Sequence, residues 1–454
     1  MNDSMRYAFV LGRVYTLSVA ELAAVLERPD TSLGLAGGPV KILEASEEIL
    51  IIETEKPLNA ERLQKKLGGV IKILEVVDVV KKREQDSLNF SLKHFFKPSV
   101  LKKQFFKDYK GKSQFGVSVY ILDGDLLKRP QPQQPRQGQK PMGDFGNIFS
   151  EPKRLGMMIK NALTETGLSC RLVLPEFNSL SLASVVVTKN LLLQKGAEIC
   201  ILAAKDKVFV SKTLTVQDFE DYGRRDYQRP ARDEKQGMIP PKVAQIMINL
   251  SGCKSGETIL DPFCGIGTLV QEGLLLGFRM IGSDINKIAI KGSEQNLEWF
   301  RNRYKIAPGK YGVEVSDACK VSDLIEKSKS EISGIVTEGT LGPIYSQYPR
   351  PEEIVKNFKD LTALYTKSFK EFSKFLPKQA KIIMCLPAYK QGRYDYQMFP
   401  GLDFAAELGY NLVDIIFPTL AKNLKFLKLT SRNTAIYDRK DQIVAREIVV
   451  FEKN

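Results

Sequence analysis

The sequence predicts an α/β protein whose C-terminal half is a doubly wound, seven-stranded sheet. Three observations carry this. From residue 242 onward, strand-like and helix-like apolar runs alternate, the pattern of parallel strands joined by crossover helices. The strand-like run Thr258-Ile-Leu-Asp261 passes through a turn with Gly265 and Gly267 into an apolar helical pattern starting at Thr268. After Gly277 a second strand-like run ends in another carboxylate, Asp284.

At 454 residues the chain exceeds one core, so two or three domains are expected. Its 43% hydrophobic and 26% charged content is that of a soluble globular protein. The 67 Lys and Arg outnumber the 53 Asp and Glu, a net charge of +14. That surplus favours a polyanion partner, because neutralising phosphates releases counterions; a solvated basic surface accounts for it equally well. The six cysteines (Cys170, Cys200, Cys253, Cys264, Cys319, Cys385) form no C-x-x-C pair, which points to reduced thiols in the cytoplasm rather than a disulfide frame or a zinc site. The single histidine, His94, leaves little for histidine-based catalysis or a metal. No apolar run approaches a membrane span, and the first residues lack a signal-peptide pattern.

Residues 1–85 read as a ferredoxin-like domain of order β-α-β-β-α-β, with Ser18 and Glu21 as a capping box for the first helix. Residues 86–214 read as a second α/β domain. It is interrupted near 128–146 by a Pro/Gln-rich insertion that cannot form a core, carrying Arg129, Arg136 and Lys140. Lys189 and Lys212 are candidates for a phosphate-facing surface, the alternative being a solvated face. In the linker at 215–241, aromatics alternate with Arg224, Arg225 and Arg229. Such a pattern can stack on bases and bind phosphates, or wrap the next domain through Arg–Asp pairs. The final domain, 242–454, holds strands expected at 258–260, 279–283, 312–315, 334–337, 381–386, 411–417 and 446–452. The last two are compatible with an antiparallel edge.

The glycine turn defines the ligand class. A dinucleotide site uses G-x-G-x-x-G with a pyrophosphate over the helix N-terminus. Here the third glycine is missing and Asp261 would repel a phosphate, which suits a cationic, phosphate-free nucleoside such as S-adenosyl-L-methionine. A carboxylate at Asp284 can accept from two ribose hydroxyls at once.

Asp261-Pro-Phe-Cys-Gly-Ile-Gly-Thr268 resembles the first motif of the THUMP-domain-containing RNA methyltransferases, the group that includes the tRNA guanosine N2-methyltransferases. Ser169 to Glu176, Leu182 to Asn190 and Val208 to Asp218 resemble the THUMP module itself. Gly237-Met-Ile-Pro-Pro-Lys242 resembles the family's connector, and 437–451 its closing hairpin. The resemblance covers nearly the whole chain. It implies a Rossmann-like methyltransferase domain that uses S-adenosyl-L-methionine and acts on the exocyclic N2 amine of a guanosine in tRNA or another structured RNA.

By this resemblance, Asp261, Phe263, Cys264, Gly265, Gly267 and Thr268 cradle the methionine part and Asp284 holds the ribose. Asp317 reaches the adenine amine, or only caps the following helix. Glu338, in Thr337-Glu-Gly-Thr-Leu-Gly-Pro343, is the acceptor for the base amine, and Tyr345 or Tyr348 the stacking ring. Gly339 and Thr340 depart from the family, which has a proline and an aromatic there. If that loop were degenerate, restoring Pro and Tyr at 339 and 340 should create activity. The rival readings are a ribosomal RNA or DNA amino-methyltransferase, and a catalytically inert protein that binds cofactor or RNA.

Overall fold

The computed structural model describes residues 4–35, 40–81, 88–107, 112–123, 151–232, 238–392, 395–440 and 442–454. The insertion near 128–146 therefore lies outside the described residues. The chain divides into two compact units: Met1–Tyr15, Leu26–Lys65 and Val70–Phe219 form the first, and Thr16–Val25, Lys66–Gly69 and Glu220–Asn454 the second.

Among the described residues the first unit is built on eight strands: β1 (Met5–Leu11), β2 (Lys41–Ala45), β3 (Ile49–Thr54), β4 (Val70–Lys81), β5 (Lys112–Ile121), β6 (Ser169–Val173), β7 (Gly196–Ala203) and β8 (Lys207–Val216). They lie in the order β2-β3-β1-β4-β8-β7-β5-β6. The first four have the order of a ferredoxin-like plait, with β1 antiparallel to both β3 and β4. β4 then pairs antiparallel with β8 from Lys72↔Val216 to Lys81↔Lys207, so the segments 1–85 and 86–214 share one continuous sheet.

Every residue of β7 is buried, as its run Ile199-Cys-Ile-Leu202 requires of a strand covered on both faces. The exception to its apolar character is Glu198. This carboxylate pairs with the buried Lys72 at 2.5 Å and accepts from Ser118 at 2.5 Å and Thr213 at 2.6 Å. Lys72 also donates to the Leu182 carbonyl at 2.7 Å. A buried ion pair is tolerated where its remaining valences are satisfied in this way.

Among the described residues the second unit holds nine strands: β9 (Thr258–Asp261), β10 (Arg279–Asp284), β11 (Tyr311–Val315), β12 (Gly334–Thr337), β13 (Lys381–Gly392), β14 (Asp395–Met398), β15 (Tyr410–Val413), β16 (Ala435–Tyr437) and β17 (Val444–Lys453). The main path is β11-β10-β9-β12-β13-β17-β15, with β14 on β13 and β16 on β17. Strands β9 to β13 pair in parallel, and β17 runs antiparallel between β13 and β15. The strand expected at 411–417 stops at Val413, ahead of the helix that Pro418 opens. Strand order reverses between β9 and β12, and in sheets of this kind ligands bind at such a switch point, beyond the carboxyl ends of the strands.

The helix Pro351–Ser373 covers one face of this sheet. Phe358, Leu361, Tyr365, Phe369 and Phe372 recur every three or four residues and make its buried stripe. Each large side chain so buried contributes about 1.5–3 kcal/mol. Near the N-terminus the helix Tyr15–Leu26 starts three residues before Ser18, so the expected capping box does not form. Within the second unit, Glu21 instead accepts from the Gly68 and Gly69 amides at 2.9 and 2.8 Å and from Asn249 at 2.7 Å. Among the described residues no helix is long and apolar enough to cross a membrane.

Candidate active site

β9 ends in Asp261, and the chain then turns through Gly265 (φ +51°) and Gly267 (φ +85°), both in the left-handed region that favours glycine. A Cβ on Gly267 would lie 2.5 Å from Ser293 Oγ, whereas nothing stands within 4 Å of one on Gly265. Gly267 thus starts the helix Thr268–Leu275, and Gly265 borders open space. That space is a cleft of about 490 Å³ at the carboxyl ends of β9, β10 and β12. Asp261, Phe263, Cys264, Gly265, Thr268, Asp284 and Asp317 line it together with Glu338; Gly267 does not.

Each acid is held differently. Asp284, at the end of β10, accepts from the Gly265 amide at 3.0 Å and the Asn286 amide at 2.8 Å, tying its strand to the glycine turn. Asp317 accepts from the Cys319 amide at 2.9 Å while facing the cleft, so it is a cap and a lining residue at once. Asp261 is buried, and burial pushes its carboxyl up to about 7. Hydrogen bonds from Thr337 and the Phe263 amide offset part of that rise, and the Asp284 and Glu338 carboxylates add to it. Burial also raises the Cys264 thiol, which leaves it un-ionised and inert.

No lysine or arginine lines the cleft among the described residues, and four carboxyl groups do. Such a field repels phosphate and favours a cation. Ile285, next to Asp284, is 70% exposed and also lines the cleft, an apolar surface on which a flat ring can lie. A sulfonium nucleoside fits this donor set.

Beyond β12 the loop 338–342 closes one side. Glu338 pairs through Oε1 with Arg446 Nε of β17 at 2.5 Å, and Arg446 donates on to Gln442 at 2.6 Å. The Tyr365 hydroxyl donates to the Thr340 carbonyl at 2.6 Å and accepts from the Thr340 amide at 3.1 Å. Asn357 donates to the Leu341 carbonyl at 3.0 Å and to the Tyr389 hydroxyl at 2.7 Å. Tyr345 packs edge-on against Tyr389, ring centroids 6.0 Å apart, and is not among the residues lining the cleft; Ile344 beside it is.

Comparison with known proteins bears on this site. The profile of the RMKL-like methyltransferase domain matches residues 228–393. A second profile, described as DNA methylase, matches 52–295. The tRNA (guanine(10)-N2)-dimethyltransferase of Methanothermobacter thermautotrophicus is 38% identical over 96 residues, 21% of this chain and 28% of that protein. That of Methanocaldococcus jannaschii is 28% identical over 162 residues, 36% of this chain and 45% of that protein. The chain thus spans less than half the length of these two relatives. A probable tRNA (guanine(10)-N2)-dimethyltransferase of Methanothermococcus thermolithotrophicus is 31% identical over 121 residues, 26% of this chain and 72% of that protein. The chain belongs to the tRNA (guanine(10)-N2)-dimethyltransferase family. It falls also within the broader methylase family whose profile spans 52–295.

Against that family the loop 338–342 gains a physical account. Gly339 has φ +66°, which a proline ring cannot adopt, and a Cβ there would lie 2.8 Å from Tyr365 Oη. Gly342 has φ +98° and sits against Asn357. The loop as it stands is built around Gly339 and Tyr365, in a conformation that Pro at 339 would break.

The alternation of aromatics and arginines in the linker left these arginines open between RNA and structure. Arg225 is buried, donating to Glu272 at 2.7 Å, pairing with Asp221 and lying over the Tyr222 ring. Arg229 is buried and donates to Thr268 Oγ1 at 2.6 Å, and Arg224 pairs with Asp221 at 3.4 Å. As candidates for an RNA-contacting surface, Arg225 and Arg229 are corrected: their guanidinium groups are enclosed and serve to clip the linker to the glycine turn. Lys189 is exposed, and Lys212 pairs with Glu75 at 2.9 Å. Sequence reasoning missed Arg446, Tyr365 and Asn357, whose partners are distant in the chain.

Proposed function

We propose that this chain is a tRNA methyltransferase that uses S-adenosyl-L-methionine to methylate the exocyclic N2 amine of a guanosine. The observation that carries the reading is the placement of Glu338 on the same cleft as Asp261, Asp284 and Asp317. The names of the relatives support the substrate class. S-adenosyl-L-methionine supplies an electrophilic methyl group on a sulfonium. Asp284 is suited to the ribose hydroxyls, Asp317 to the adenine amine, and Asp261 to the sulfonium of the methionine part.

An exocyclic guanine amine is a poor nucleophile because its lone pair is delocalised into the ring. A carboxylate at Glu338 that accepts one N–H draws the nitrogen toward tetrahedral geometry and directs its lone pair at the methyl carbon. With the cofactor bound, its sulfonium would give up the methyl group to this nitrogen while Glu338 holds the amine, whose proton would pass to water. Ile344 and Leu341 at the cleft mouth supply the apolar seat for a base taken out of its stack. The exposed Lys189 and the net charge of +14 support an RNA partner, with the first unit in the THUMP-like role, and a cytoplasmic location goes with that substrate.

Incubation with unmodified tRNA, ribosomal RNA and duplex DNA in the presence of labelled cofactor tests the reading. Transfer to tRNA, recovered as N2-methyl- or N2,N2-dimethylguanosine, is expected. Cofactor binding with no transfer to any tRNA would sink it, and transfer to ribosomal RNA or DNA alone would move the substrate.

A further inference from the structure

The loop after β12 carries one carboxylate on the cleft, and that carboxylate has a partner outside it. Arg446 is 2% exposed, does not line the cleft, and sits on β17 opposite Pro387 of β13. Its Nε reaches Glu338 Oε1 at 2.5 Å and its second nitrogen is itself anchored on Gln442 Oε1 at 2.6 Å. Glu338 Oε2 takes no hydrogen bond from any described residue. One oxygen is thus held by a residue that does not line the cleft, and the other oxygen of this cleft-lining residue takes no such bond.

We infer that Arg446 is the positioning residue for Glu338, holding its carboxylate in one rotamer with Oε2 presented to the target amine. The inference rests on the methylation reading for its consequence, not for its geometry. A side chain that must accept one N–H in a fixed direction works poorly if it swings. A free glutamate loses rotamer freedom on being ordered, and a charge-assisted contact supplies the restraint beforehand.

The test uses the full chain with Arg446→Gln and Arg446→Lys. The order of the Glu338 carboxyl is followed by carbon-13 NMR relaxation of glutamate-labelled protein, its resonance assigned with Glu338→Gln, alongside binding of S-adenosylhomocysteine and steady-state kcat and KM. In Arg446→Gln the Glu338 carboxyl is expected to become mobile, kcat should fall about tenfold or more, and cofactor affinity should stay within about twofold. Arg446→Lys should recover part of both effects. A Glu338 carboxyl as ordered in Arg446→Gln as in the parent overturns the inference. If Arg446→Gln fails to fold, Arg446→Met, which keeps the apolar stem, takes its place with the same criterion. A carboxyl that becomes mobile in a protein that methylates no tRNA would uphold the clamp and sink the methylation reading instead.

Discussion

Tyr365 grips Thr340 from both sides, its hydroxyl donating to the Thr340 carbonyl at 2.6 Å and accepting from the Thr340 amide at 3.1 Å. The tyrosine lies on the buried stripe of the longest helix, so the loop beside Glu338 inherits the rigidity of the core.

Tyr365→Phe keeps the ring and removes both bonds. It should cost about 1–3 kcal/mol of stability, because a loop amide and carbonyl lose their partner. It should lower kcat about 10- to 100-fold through misplacement of Glu338, while cofactor affinity changes little. Calorimetric melting and single-turnover kinetics check this; parent-like kcat would show that the loop is positioned without Tyr365.

Gly339→Pro should abolish methyl transfer and lower the melting temperature. The ring demands φ near −65° where the chain holds +66°. Gly339→Ala should be milder, with a left-handed strain of about 1–2 kcal/mol that adds to the contact with Tyr365 Oη. Activity gained in the proline variant would show instead that the loop is a damaged proline loop.

Asp261 makes a pH prediction. Its folded pKa, about 7, lies above its ordinary value of 3.8, so between these values the folded protein holds a proton that the unfolded chain has released. Stability contributed by this group is complete below about pH 4 and is lost as pH rises through 7. A bound sulfonium favours the ionised form. Affinity for S-adenosylmethionine should therefore rise between about pH 6 and 8, whereas S-adenosylhomocysteine, which lacks that charge, should show a flatter profile. Titration calorimetry with both ligands checks it; parallel profiles would remove Asp261 from contact with the cationic centre.

Glu198→Gln, in the first unit, leaves the buried Lys72 ammonium without its counter-charge. A loss of about 3–5 kcal/mol is expected from urea unfolding, with cofactor affinity unchanged. A loss under about 1 kcal/mol would mean that Lys72 escapes to solvent or gives up its proton.

The parts of the molecule legible in the sequence are those written in short segments. Asp261, Gly265, Gly267 and Asp284 fall within 24 residues, and the strand, turn and strand that present them follow from local periodicity. What was not legible depends on partners far apart. Glu338 and Arg446 are separated by 108 positions, and nothing in either neighbourhood signals the other. Arg225 and Arg229 look alike on paper whether they face solvent or the interior. Glu272, 47 residues beyond Arg225, decides the matter. The single sheet of the first unit was hidden for the same reason: β4 and β8, which join its halves, lie more than 120 residues apart and each reads as a complete strand of its own half.

The pairing of β17 with β13 runs unbroken through nine positions, from Lys381↔Glu452 to Tyr389↔Val444. Side chains on a strand alternate faces, so slippage by a single residue would turn Arg446 away from Glu338 and the buried Glu447 away from Arg432 and Thr434. Length is thus a chemical parameter of the segment leading into β17. A one-residue insertion or deletion between β16 and β17 that shifts this register should yield a protein that is less stable and does not turn over. In aligning relatives, a gap at 438–443 therefore carries more functional weight than most substitutions within the cleft itself.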